Sequence, residues 1–592
     1  MQSSAAVRVR LTLEVLRSVT FVLATVLTGS GLANGQSGGP PLAWEPLASL
    51  HFQLQTDGFS FGNYRDKKGR FENDISKDDL IRMFGLRPSC EAGSTPANCV
   101  EKASARQWMD KMLSAMDIGH CEGIAVASLR LNEREPFKGR VLPTTFQPNA
   151  NSPFAMKLDD GIENYIAYYW ITQTFPEVIE ISDGWAQKGP HAIVDEIVAG
   201  LKSGKETYTL GIQKLDRGRL ADGHALVPYS VEENDTAYRI AVYDSNFPGE
   251  QRYLYIDDND QQSWHYNSKG EGKGKPDYQG ALATHSLYLT PTSIREDRCF
   301  TPEFKRWGEN ATNCGLASER RSGSNVAFLK SSFLNAAIQQ NDDDYGEFFL
   351  TGDGEMLVVD SKDRGLGYDP VKNRFVDQIP GAIDDMMIGG LGMDAPHFFV
   401  PSERSAEPWG IIFSGKFLDS ENTMDFVFSD AGFTVGFAGI QLDPGEVLGA
   451  TVSPNGEQIT FTASADGQTP DVFFAFDGPG DNASYIAEVG GVDLPAGKEL
   501  TFDFDLEHGK LLVSDNDGNQ DKYDIVLRRI LDNGKEDVYE HDDVTFGKGD
   551  RYEMDFNNWK GEGDGMCFRE DDEGDGFADE KCVEETDDGN GP

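Results

Sequence analysis

Cys121, His224 and Asp244 are the residues of this 592-residue chain whose types and settings suit covalent chemistry. A cysteine attacks a carbonyl carbon as its thiolate. A histidine takes the thiol proton and later hands it to the leaving group, and a carboxylate fixes the imidazole in one tautomer. The reaction such a set performs is acyl transfer. Each residue also has a plainer reading. Cys121 suits a buried, inert thiol, His224 a structural or exposed histidine, and Asp244, in "YDSNFPGE", a turn residue.

Cysteine pairing singles out Cys121. The chain has seven cysteines, and six form local couples: Cys90 with Cys99, Cys299 with Cys314, and Cys567 with Cys582. Each couple would close a short loop, worth about 3 kcal/mol for 15 residues in the chain-entropy treatment. Six cysteines allow 15 connectivities, so this pairing is a preference for neighbours. Cys121 is left over.

Three elements must position the set. In "DIGHCEGIAVASLRL", Gly119 breaks the preceding segment and an apolar run follows, which predicts a helix beginning at Cys121. Free N–H groups and the helix dipole at such a start favour a thiolate. Gly123, in the first turn, leaves room for a substrate or another backbone. Tyr208, Leu210 and Ile212 alternate, as do Tyr238, Ile240 and Val242, and His224 opens "ALVPYSV". These are strand patterns, with "EENDT" as a polar turn. Antiparallel pairing then sets the imidazole beside Asp244. Two helices are expected between, from Ile162, Tyr165, Ile166, Tyr169 and Trp170, and from Ile193, Val194, Ile197 and Leu201 with Gly204 as a stop.

"GHCEGIAVASLRL", "DGHALVPYSV" and "YRIAVYDSNFPGE" resemble the papain-like cysteine peptidase superfamily, most closely its large secreted bacterial members. "FSFGNYRDKKGRF", "LIRMFG" and "ARQWMDKM" resemble their lead-in, and the likeness covers about Trp44 to Asp257. It implies an α+β papain-like domain with Cys121 as nucleophile, His224 as base and Asp244 as its orienting acid, with Asn246 as a substitute. Papain-like enzymes also carry a glutamine shortly before the cysteine to help hold the oxyanion. The nearest here is Gln107, 14 residues upstream and beyond the usual spacing. The Cys121 N–H supplies one oxyanion donor, and the second has no assignment.

The formal net charge of -46 argues against nucleic acid and anionic membrane surfaces as partners. The first 35 residues read as an export signal: Arg8, Arg10 and Arg17 precede the apolar "VTFVLATVL", and cleavage is expected near Ala33 or Gly35. The expected location is extracellular, with no membrane span once the signal is removed. The domain plan is a signal peptide over 1–35, a papain-like domain over 40–260 and a polar linker with a disulfide over 261–324, inside which "SLYLTP" reads as one more strand. A β-sandwich module over 325–480 and a second β module over 481–592 complete it. Short alternating runs such as "WGIIFSGKF", "VFFAF" and "LTFDFDL" between Gly, Pro, Asn and Asp turns carry the all-β reading. His397 reads as a core or edge residue.

The last 32 residues hold 13 acids against two bases. In "DDEGDGFADEKC", Asp571, Glu573, Asp575 and Asp579 occupy relative positions 1, 3, 5 and 9, with Gly576 at 6. Oxygen ligands so spaced around a glycine turn suit calcium. The loop resembles the short calcium repeats of thrombospondin type, and its plainer reading is a solvated acidic tail. "SDNDGNQDKYD" is a weaker case. Together these features predict a secreted cysteine peptidase that cleaves amide bonds in protein or peptide substrates through an acyl-enzyme. A cell-wall amidase or transpeptidase would use the same triad. A non-catalytic, calcium-dependent surface-binding protein would not.

Overall fold

A computed structural model of the chain describes residues 43–65, 75–216, 219–270, 273–295, 300–305, 345–391, 395–402, 407–464, 468–478, 483–491, 494–515, 522–545, 551–556, 559–561, 565–571, 576–577 and 581–583. The chain divides into residues 1–43 and 44–592, and the second unit carries the fold. The export signal, Cys299 and Cys314, and Glu573, Asp575 and Asp579 lie outside the described residues.

The N-terminal half is α+β in order and layering. Helices occupy most of 77–203, and antiparallel strands follow. Its sheet has eight strands: β1 (Glu45–Ser49), β2 (Tyr208–Asp216), β3 (Arg219–Asn234), β4 (Ala237–Asp244), β5 (Arg252–Asp257), β6 (Trp264–Tyr266), β7 (Tyr278–Gly280) and β8 (Leu287–Pro291). The spatial order is β7-β6-β5-β4-β3-β2-β8, and β1 pairs with the far half of β3. The stretch expected as a polar linker over 261–324 therefore supplies β6 and β7 beside β8, the strand expected from "SLYLTP". Two of those strands are only three residues long, too short to show a period of two amid Gly, Lys and Asn.

The Cys121–Glu133 helix is the central element. Cys121 through Leu131 are all buried, so the helix is enclosed around its whole circumference, with Glu122, Ser128 and Arg130 among the buried residues. Gly123 permits this packing: a Cβ there would meet the Ile166 carbonyl oxygen at 2.2 Å. The approaching backbone is thus the Asp160–Ile171 helix, one of the two expected, and not a substrate. The other expected helix spans Pro190–Ser203 and ends at Gly204 in the left-handed conformation. Below the Cys121 helix start, Glu122 forms a buried ion pair with Arg295, joined by Thr209 Oγ1 to Glu122 at 2.9 Å and Arg295 to Thr172 Oγ1 at 2.7 Å.

Among the described residues from Tyr345 to Val583, two antiparallel sheets of nine and eleven strands face each other over one apolar core. The expected boundary between two β modules at 480/481 falls inside this sandwich. Asp471–Phe476 and Ala483–Gly490 pair across it. Neighbouring strands on the same sheet bury their inward residues together, and no local composition change marks a division. The sandwich packs on the Ala103–Ala115 helix: Trp108 Nε1 donates to Glu347 at 2.8 Å, and Ser104 Oγ to Asp477 at 2.7 Å. Glu347 also accepts from His397, which is wholly buried in the strand Pro396–Pro401.

Cys90–Cys99 and Cys567–Cys582 are bonded as expected, and Cys121 is free and buried. Such bonds persist in oxidising compartments. No helix among the described residues is long and apolar enough to cross a membrane.

Candidate active site

The three far-separated side chains meet. Cys121 begins its helix after Gly119, whose φ of 111° is open to glycine but strained for other residues. His224 lies near the start of β3 and Asp244 at the end of β4. The register pairs Leu226 with Asp244, so His224 is the carboxylate's diagonal neighbour. His224 Nε2 lies 2.7 Å from Asp244 Oδ1. Its Nδ1 has no nitrogen or oxygen partner and lies on the thiol side. An ionised Asp244 accepts a hydrogen bond from Nε2–H and so holds the proton on that nitrogen, which leaves Nδ1 as the base toward Cys121.

Electrostatics agree with that assignment. Burial disfavours a charged His224, but the charge and hydrogen bond of Asp244, and then the thiol, outweigh it and hold the imidazole well above its usual pKa. Burial also opposes ionisation of Asp244. His224, the Tyr266 hydroxyl and the Asn246 N–H overcome it, and the carboxyl stays below its usual range. Burial pushes the Cys121 thiol up, against the pull of His224.

Two participants escaped the sequence reading. Tyr266, on β6, donates its hydroxyl to Asp244 Oδ2. Asn63 stands beside the Cys121 N–H where Gln107 was the nearest sequence candidate, and its Nδ2 donates to the Gly389 carbonyl oxygen at 2.7 Å. Gln107 instead sits on the Ala103–Ala115 helix, facing Asp471 and Phe473 of the sandwich in a separate cavity. The Asn63 amide orientation is determined by its partners. Oδ1 accepts from the N–H of His120 at 2.8 Å and of Tyr64 at 3.0 Å, so Nδ2 must point the other way. Asn63 stands in the quoted stretch "FSFGNYRDKKGRF", but no local pattern distinguishes an oxyanion donor from a turn asparagine. Asn246 is not a substitute acid. Its N–H supports Asp244 Oδ1 at 2.7 Å.

The cleft is filled by the chain itself. Residues 387–391, between the strands Ile383–Met386 and Pro396–Pro401, run across Cys121 and His224. The Gly389 carbonyl oxygen accepts from Asn63 Nδ2 at 2.7 Å and from the Cys121 N–H at 3.4 Å. Cys121, His224 and Asp244 are consequently at most 1% exposed.

Of the expected calcium ligands only Asp571 is described. It accepts the Gly576 N–H at 2.9 Å and faces Arg551 at 3.4 Å. Among the described residues no cluster of three or more His, Cys, Asp or Glu is placed to hold a metal. No protein-family model, curated protein or solved structure matches the chain.

Proposed function

We propose that the protein is an exported cysteine peptidase of papain-like type, cleaving amide bonds through Cys121, His224 and Asp244 by way of an acyl-enzyme. The observation that carries this reading is the Gly389 carbonyl, which receives hydrogen bonds from the nucleophile's own N–H and from Asn63 Nδ2. Two donors converging beside a thiol are what a tetrahedral oxyanion needs. In the reaction, His224 takes the thiol proton, sulfur adds to the carbonyl carbon, and Asn63 with the Cys121 N–H holds the oxyanion. His224 then protonates the leaving amine. Water, deprotonated by His224, releases the acid and restores the thiol.

Burial is the largest influence raising the thiol, so displacing residues 387–391 would lower it and ready the nucleophile for an outside substrate. Gly390→Val provides the means. Its φ is 76°, and a Cβ there would meet His224 Nδ1 at 2.2 Å. The test is hydrolysis of a quenched-fluorescence peptide library by the Gly390→Val protein, with and without Cys121→Ala. Turnover that vanishes with the thiol supports the reading. Equal turnover by both, or none by either, overturns it.

A further inference from the structure

We propose that the first substrate of this site is the protein itself, cut between Gly389 and Gly390, and that the site is selective for an aliphatic residue followed by two glycines. The inference rests on the peptidase reading above and names its substrate class.

The backbone of this segment is received as a substrate's would be. Ile388 is gripped at both ends by Gln173, which accepts its N–H at 2.9 Å and donates to its carbonyl at 3.3 Å. The Gly389 carbonyl takes the two oxyanion donors. The Gly390 N–H donates to the Gly223 carbonyl at 3.0 Å, the Gly390 carbonyl accepts from Asn246 Nδ2 at 2.8 Å, and the Leu391 carbonyl accepts from Arg65 at 3.1 Å. Main-chain recognition of this kind, with side-chain pockets alongside, is how extended peptides are bound.

The fit also dictates residue type. A Cβ at Gly389 would lie 2.0 Å from the Ile118 carbonyl oxygen, and one at Gly390 would overlap His224 and approach Cys121 Cβ to 3.0 Å. The cleft's own glycines complete the match. A Cβ at Gly119 would strike the Gly389 oxygen at 2.3 Å, and one at Gly223 would strike Ile388 Cγ2 at 2.1 Å. Met387 and Ile388 are 1% and 3% exposed, so the residues ahead of the glycines sit in apolar pockets. Any larger residue at either glycine would be excluded, which is specificity by steric rejection.

The step balances. The Cys121 sulfur bonds to the Gly389 carbonyl carbon, and the thiol proton passes to His224 Nδ1. The Gly389–Gly390 C–N bond breaks, and that proton goes to the Gly390 nitrogen, leaving a thioester and a free amine. Water adds to the thioester, giving a Gly389 carboxylate and the free thiol. Both new ends remain attached to strands that pair with each other, Ile383 opposite Phe399, so the pieces part only on denaturation.

The test incubates the purified full chain at neutral pH, then denatures and reduces it for intact mass and N-terminal sequencing. Wild type should yield a new chain beginning Gly390-Leu391. Cys121→Ala should stay whole, with at least a hundredfold less of that product. Gly390→Val should also stay whole yet hydrolyse an external Ile-Gly-Gly-Leu peptide. If wild type stays whole while Gly390→Val turns over that peptide, self-cleavage is overturned and the peptidase reading stands. If wild type stays whole and neither protein hydrolyses any peptide, both fall. A product from Cys121→Ala at the wild-type rate overturns self-cleavage as well.

Discussion

Asn63 and Gly389 are 326 positions apart in the chain, yet the amide nitrogen of one lies 2.7 Å from the carbonyl oxygen of the other. That contact is made beside Cys121, whose own N–H donates to the same oxygen at 3.4 Å, and in the proposed reaction this pair of donors holds the developing negative charge.

Replacing Asn63 by Ala should therefore act on the transition state. We expect kcat on external peptides to fall about 10²–10³-fold with little change in KM, the range seen when one oxyanion donor is removed. Steady-state kinetics in the Gly390→Val background check this. A change confined to KM would assign Asn63 to ground-state binding alone.

Asp244→Asn should lower kcat roughly 10²–10⁴-fold, because a neutral amide does not hold the Nε2 proton and the imidazole tautomer changes. Tyr266→Phe removes one hydrogen bond to the carboxylate. It should cost about tenfold in kcat and raise the acid limb of the pH–rate profile, since Asp244 becomes easier to protonate. An unaltered profile would remove Tyr266 from the mechanism.

The ion pair under the nucleophile helix predicts a stability effect. Glu122 and Arg295 side chains are 3% and 2% exposed. Glu122→Gln alone should cost about 3–5 kcal/mol by stranding the buried guanidinium, and Glu122→Gln with Arg295→Met far less. Urea denaturation of the two variants distinguishes these outcomes.

His120 predicts acid sensitivity. It is fully buried, its Nδ1 pairs with the Tyr64 carbonyl at 3.0 Å, and burial lowers its pKa from 6.5 to about 4. The unfolded chain thus binds the extra proton first. The stability from His120 is complete above pH 6.5 and is lost as pH falls toward 4, in all about 3 kcal/mol. Urea midpoints between pH 7 and 4.5 should fall less steeply in His120→Gln than in wild type.

Much of this site was legible before any coordinates. Gly119 ahead of an apolar run placed Cys121 at a helix start, and the apolar run "ALVPYSV" and the alternation on β4 put His224 and Asp244 on strands. Those signals are local. Asn63, Tyr266 and residues 387–391 reach the site through tertiary packing, and none carries a periodic pattern: one sits outside regular structure, one on a three-residue strand, and one between two strands of another domain. The sandwich was legible as strands but not as sheets. Tyr345–Leu350 and Glu355–Val359 follow one another in the chain yet belong to opposite layers, and local alternation is the same for both. The glycine pair at 389 and 390 carries no signal in the sequence, because its constraint is the neighbouring His224 and Ile118 and not its own neighbours in sequence.

The central claim is that the Cys121 sulfur accepts an acyl group. The most direct measurement treats Gly390→Val with the p-nitrophenyl ester of N-acetyl-Ile-Gly and follows nitrophenolate release, with acid quenching and peptide mapping by mass. A burst of one equivalent per chain and an acetyl-Ile-Gly group on Cys121 are expected. No burst, an acyl group on another residue, or an equal burst after Cys121→Ala would contradict the claim.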